Sequence, residues 1–284
     1  MTEIRFYGEG LAGFKREKPL PGRLIVLEGT DGVGRSTQIA LLREWVEGKG
    51  YAVQATGLKR SELAGKGIKE AMQGHTLGNL TANLFYATDM VDRLEKVIIP
   101  ALRAGFVVLT DRYIYSIMAR AMVRGVSPTW IRDVFGFALV PDAVFYLHAD
   151  LPHLIPRVLN ARGFDYWESG IDFLSNRDYY DAFVEYQTRL LAQFEAMAEE
   201  YEFRRVDATR SIREVFQALT VELEKVLADM KPVSSPSVEK EPPEAKAEDK
   251  AAKEESKAES KATKAEGKGE SKGGGRRRKR AGAG

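Results

Sequence analysis

Leu24-Ile25-Val26-Leu27 followed, after Glu28, by Gly29-Thr30-Asp31-Gly32-Val33-Gly34-Arg35-Ser36-Thr37 is the stretch from which the rest of the chain can be read. An apolar run of strand character enters a glycine-rich turn, and Gln38-Ile39-Ala40-Leu41-Leu42 then opens an amphipathic helix. The pattern is G-x-x-x-x-G-K-[ST] with arginine in place of lysine. Glycines let the backbone curl so that its N–H groups face an anion, and the helix that follows adds its positive N-terminal end. The loop Gly29, Thr30, Asp31, Gly32, Val33, Gly34, Arg35, Ser36 and Thr37 therefore reads as a nucleotide phosphate site. The Ser36 hydroxyl is placed for Mg²⁺ and the side chain at 35 for the β- and γ-phosphates. Arginine keeps the charge of lysine but replaces a compact point charge by a wide planar fork. Binding and phosphate transfer thus become separate questions.

The 284 residues are 44% hydrophobic, but apolar periodicity stops near Leu227. The reading is an extension over 1–22, one domain over 23–230 with ample material for a core, and a charged tail over 231–284. The tail is built of Pro, Ser, Ala, Glu and Lys and ends near Arg276-Arg277-Arg278-Lys279-Arg280. It lacks the apolar area to offset ordering entropy, so disorder is expected, with a basic end that reads first as solubilising and as its alternative suits nucleic acid or another polyanion. With no cysteine, disulfides, thiolate metal sites and a cysteine nucleophile are excluded, and a reducing, cytoplasmic setting is expected. No long apolar run suggests a membrane span.

Four further strand-like runs follow at Tyr51 to Thr56, Phe106 to Thr110, Ala143 to His148 and Phe203 to Val206. Helical pattern over 35–48, 61–73, 79–103, 113–123, 127–138, 151–161, 174–200 and 210–229 separates them. The alternation predicts an α/β fold of three layers, a five-stranded parallel sheet flanked by helices. In such sheets ligands gather at the carboxyl ends of the strands. There the run ending Val108-Leu109-Thr110 delivers Asp111-Arg112-Tyr113, a carboxylate suited to a Mg²⁺ shell beside a guanidinium suited to a phosphate. His75, His148 and His153 have no ligand spacing, and Phe183, Tyr186, Leu190, Leu191 and Phe194 recur at helical spacing as core or dimer surface.

Taken together, these segments resemble the thymidylate kinases, P-loop nucleoside monophosphate kinases, over roughly residues 23–228. The likeness includes Leu27 to Gly32 and the loop, Leu84-Phe85-Tyr86-Ala87-Thr88-Asp89, Val97 to Leu102, and Asp111-Arg112-Tyr113. It continues through Pro141-Asp142, Arg157, Arg162, Asp165, Glu168 and Val206-Asp207-Ala208. The resemblance implies a P-loop NTPase fold with a mobile lid, Mg–ATP as donor, a nucleoside monophosphate as acceptor with dTMP the default, and often a homodimer. It further implies Asp31 near the acceptor phosphate, Arg112 on that phosphate, Asp111 orienting Mg²⁺ or water, Arg157 and Arg162 as lid arginines, and Tyr86 stacking on the base. The chain departs from the family pattern at Arg35, at Tyr166 and Met90 where arginines are usual, and at Ala121 near a base-reading glutamine. Gly57-Leu58-Lys59-Arg60-Ser61 also lacks the family's Arg-Glu-Pro, and Lys59 or Arg60 can substitute as an anion contact. Three readings stay open: a thymidylate-kinase-type enzyme, a nucleotide-binding regulatory protein with impaired chemistry, and a kinase for another phosphorylated acceptor.

Overall fold

The computed structural model describes residues 4–14, 19–73, 77–161 and 163–232. Arg162, His75 and the tail from residue 233 lie outside the described residues, so the lid role expected of Arg162 and the disorder expected of the tail have no structural counterpart here.

Five parallel strands form one sheet in the order β2-β3-β1-β4-β5. They are β1 (Arg23–Glu28), β2 (Val53–Gly57), β3 (Val107–Asp111), β4 (Ala143–His148) and β5 (Arg204–Asp207). Every residue of β1 is buried, as a central strand covered on both faces must be. Alternation splits its side chains between two cores. Leu24 and Val26 join Val108, Val144 and Tyr146 on one face, while Ile25 and Leu27 join Leu109, Phe145 and Leu147 on the other.

Helices α3 (Asn79–Arg93), α5 (Ile114–Val123) and α8 (Tyr179–Glu200) cover the first face; α1 (Arg35–Gly48), α7 (Leu151–Ala161) and α9 (Ile212–Leu227) cover the second. Two shorter helices, α2 (Gly65–Gln73) and α6 (Pro128–Val134), complete the connections, with α4 (Ile99–Arg103) closing the stretch after α3. The helical run read as 79–103 is continuous but not uniform, because a wide π turn over Leu94–Ile98 precedes Pro100. Proline offers no N–H and crowds the carbonyl four residues earlier, and a widened turn relieves both.

Three predicted helix ends are corrected by local hydrogen bonds. Ser61 Oγ accepts from Ala64 N at 2.9 Å, so 61–64 is a turn and α2 starts at Gly65. Asp178 caps α8 by accepting from Asp181 N at 2.8 Å, which leaves 174–178 outside the helix. Gly136 N turns back to Asp133 O, and α6 stops at Val134.

The N-terminal extension contributes to the domain itself. Phe6 bridges Leu139, Gly8 N donates to Gly136 O at 2.7 Å, and Ile4 and Leu20 are buried in the first core. Phe183, Tyr186, Leu190 and Phe194 are likewise core residues of α8.

Candidate active site

Sheet order puts the site together. β1 and β3 are neighbours although β2 lies between them in sequence, and the register pairs Leu27 with Asp111. The glycine loop after β1 and the Asp111-Arg112 corner after β3 therefore leave the sheet side by side, at its reversal point. Gly29 needs to be glycine: its φ is 141° and a Cβ there would lie 2.5 Å from Leu147 O. Gly34, left-handed at φ 91°, caps α1 without a side-chain bond, so the first N–H groups of the helix stay directed at the loop.

Beneath the loop, Glu28 organises the neighbouring corner. Its carboxyl accepts from Tyr113 N (2.8 Å), Ser116 N (3.2 Å) and Ser116 Oγ (2.5 Å). Burial pushes its pKa up, against the opposing pull of those hydrogen bonds and of Arg35 and Arg112. The corner itself is strained, since Arg112 sits at φ 68° with its N–H on Leu27 O.

Above it lies a compact charge cluster. Arg35 Nε donates to Asp111 Oδ1 at 2.9 Å, its Nη1 donates to Gly29 O at 2.5 Å and to Thr30 O, and its Nη2 lies 3.5 Å from Asp31 Oδ1. The planar fork thus bridges the loop and β3 in a way that an ammonium group cannot. Ser36 Oγ donates to the second Asp111 oxygen at 2.9 Å. Asp31, buried, receives Arg112 on Oδ1 and Arg120 on Oδ2, the latter at 2.7 Å. Arg120 was missed by the sequence reading, although its place in the second turn of the helix that starts just after Arg112 was a usable signal.

Three guanidinia around two carboxylates leave a positive surplus, which suits an arriving phosphate. Thr30 Oγ1 is buried in the loop with no hydrogen-bond partner among the described residues. An orphan hydroxyl and a helix N-terminus with no side-chain cap fit a nucleotide phosphate. Two oxygen donors 2.9 Å apart, on Ser36 and Asp111, fit Mg²⁺, which is held by few protein ligands beside phosphates and water. Among the described residues no cluster of three acidic, histidine or cysteine side chains offers a metal cage.

Tyr86 lies in a narrow cleft of about 60 Å³ with Leu58, Asn83, Ala121, Arg120 and Trp167. Lys59 Nζ stands 5.8 Å from the Tyr86 ring centroid. A polar cavity of about 420 Å³ shares the Arg120 and Trp167 walls and adds Lys59, Lys69, Asp165, Tyr166 and Glu168. Met90 is buried against Arg93 and lines neither space. Arg157 lies beside the loop, near Gly32, with its guanidinium on the carbonyls of Ala208 (2.8 Å) and Thr209 (3.5 Å).

The family model described as thymidylate kinase matches residues 27–219. The chain is 35% identical over 210 residues to "Probable thymidylate kinase 2" of Saccharolobus solfataricus, covering 73% of this chain and 96% of the relative. It is 33% identical over 203 residues to "Probable thymidylate kinase" of Pyrococcus abyssi, covering 69% and 93%. With "Thymidylate kinase" of Clavibacter sepedonicus it shares 41% over 138 residues, 46% of this chain and 65% of the relative.

Proposed function

Because the chain belongs to the thymidylate kinase family, we propose that it transfers the γ-phosphoryl group of ATP to dTMP, giving dTDP and ADP. The observation that carries this reading is the meeting of the Gly29–Thr37 loop with Asp111, Arg112 and Arg120 at one end of the sheet. An oxygen of the acceptor phosphate forms the new bond to the γ-phosphorus as the bond to the β,γ-bridging oxygen breaks, and the electron pair leaves on ADP. Such a transfer needs positioning and charge neutralisation rather than acid–base chemistry.

Loop N–H groups and Arg35 hold the donor phosphates, Arg112 holds the acceptor phosphate, and Asp31 orients that arginine. Ser36 and Asp111 would hold Mg²⁺, which would supply charge neutralisation to the transferring group. Arg157 and Arg162 serve the transferring phosphoryl from the lid, and Tyr86 stacks on the base. A cytoplasmic setting is in keeping with a sequence that has no cysteine. The exposed Leu80, Leu84 and Phe85 on α3 support a homodimer face, and the basic residues 276–280 support a polyanion contact for the tail.

The test is ADP release by the full chain from Mg–ATP across nucleoside and deoxynucleoside monophosphates. Turnover with dTMP that disappears in Asp111→Ala is expected. ATP binding without acceptor-dependent release would leave a nucleotide-binding protein, and turnover on another acceptor alone would move the substrate.

A further inference from the structure

Arg120 stands in an unusual position for a charged residue of a buried helix. α5 begins at the sheet's carboxyl edge, next to the site, and Arg120 lies two turns down it. Helical side chains tilt back toward the N-terminus, so a long arginine at this position reaches back toward the glycine loop, which leaves β1 beside the start of α5. It arrives at Asp31, the one hydrogen-bond partner of its side chain among the described residues. Arg120 also lines both of the spaces described above, and a guanidinium has N–H donors beyond the one given to Asp31.

Its neighbour one turn on behaves differently. Arg124 spends its donors on both oxygens of Asp172 (2.8 and 2.9 Å), the Tyr186 hydroxyl (2.9 Å), Trp167 O (2.9 Å) and Arg120 O (3.3 Å). That arginine is a buttress between α5 and the 167–172 turn. Arg120 hydrogen-bonds a single carboxylate, whose other oxygen holds Arg112, while Asp165 and Glu168 act on it only through their charge. Asp31 thus hydrogen-bonds two guanidinia, one on each oxygen, with that of Arg35 3.5 Å from Oδ1, and a phosphate monoester offers the same arrangement with more charge and more oxygens.

We propose that Arg120 is the second guanidinium of the acceptor-phosphate grip: it leaves Asp31 for the phosphate of the incoming nucleotide and closes on it from the side opposite Arg112. Asp31 then acts as a place-holder that keeps both forks apart and oriented while the site is empty. This deepens the kinase reading and rests on it for the identity of the acceptor. It makes a distinct claim about which part of that acceptor Arg120 touches.

Binding of dTMP and of thymidine, which lacks the phosphate, separates the possibilities when measured by titration calorimetry on the full chain and its Arg120→Met and Arg120→Lys variants. Loss of a charge-assisted contact in Arg120→Met is expected to weaken dTMP by about 10- to 100-fold, raise the KM for dTMP in parallel, and leave thymidine and ATP within about threefold. Arg120→Lys is expected to recover part of the loss. Equal weakening of dTMP and thymidine would overturn the proposal by placing Arg120 on the sugar or base. Equal weakening of all three ligands with a lower Tm would reduce it to a structural residue. A wild-type chain that binds dTMP no better than thymidine would also overturn it. Absence of turnover with intact, Arg120-dependent dTMP binding would instead remove the kinase reading and leave the grip standing.

Discussion

Arg35 carries more contacts than a phosphate-loop cation needs, reaching Asp111, Asp31 and two loop carbonyls. Its charge and its shape therefore have separable consequences. Arg35→Met is expected to lower kcat by about 10²–10³-fold, the usual effect of removing one preorganised donor from a developing charge. Arg35→Lys keeps the cation and is expected to stay within about tenfold of the wild type. Equal loss in both variants, in steady-state kinetics, would show that the planar fork itself is required. Glu28 makes a prediction of another kind. Its folded-state pKa is raised above the ordinary 4.5, so its contribution to stability is complete below that value and is lost as pH rises through the folded pKa. The Tm difference between Glu28→Gln and wild type should accordingly shift in favour of the variant as pH increases from about 4.5, and a flat difference would refute this.

At the scale of elements, α3 is tied to the end of β2 by one buried carboxylate. Asp89 accepts from Lys59 N (3.1 Å), Ser61 N (3.0 Å) and Arg93 Nε (3.0 Å), and Lys59 is held there at φ 60°. Arg93 is almost fully buried, with Nη1 unpartnered among the described residues. Asp89→Ala would strand that guanidinium and free the loop, and a loss of about 3–5 kcal/mol is expected in denaturant unfolding. A loss below about 1 kcal/mol would mean that water already solvates Arg93. α9 offers a smaller effect. Ser211 and Glu214 form a reciprocal capping box, and Ser211→Ala is expected to cost about 1 kcal/mol by the same measurement. Strand and helix identities were legible from periodicity, as in β1 and α1. The missed boundaries at 61–64 and 174–178 depended on Ser61 and Asp178 turning a side chain onto a nearby N–H, which periodicity does not report.

For the whole molecule, the homodimer proposal rests on Leu80, Leu84 and Phe85, which α3 leaves 57%, 50% and 37% exposed. Leu80 and Leu84 share one helical face, and an apolar patch of this kind is covered in a stable assembly. Sedimentation should find a dimer that Leu84→Glu converts to monomer, and a monomeric wild type at micromolar concentration would contradict the proposed face. What the sequence determined by itself was local: the loop from Gly29 to Thr37, the strand-end pair Asp111-Arg112 and the five alternating units, each written within a few consecutive residues. The tertiary structure decided what meets across the chain. Arg35 reaches Asp111 over 76 positions, Arg120 reaches Asp31 over 89, and the extension's Phe6 finds Leu139. Those pairings follow from a strand order that sets β3 beside β1 and from the backward tilt of side chains on α5. Periodicity names the face on which a residue lies, and only packing of whole elements names what stands opposite it.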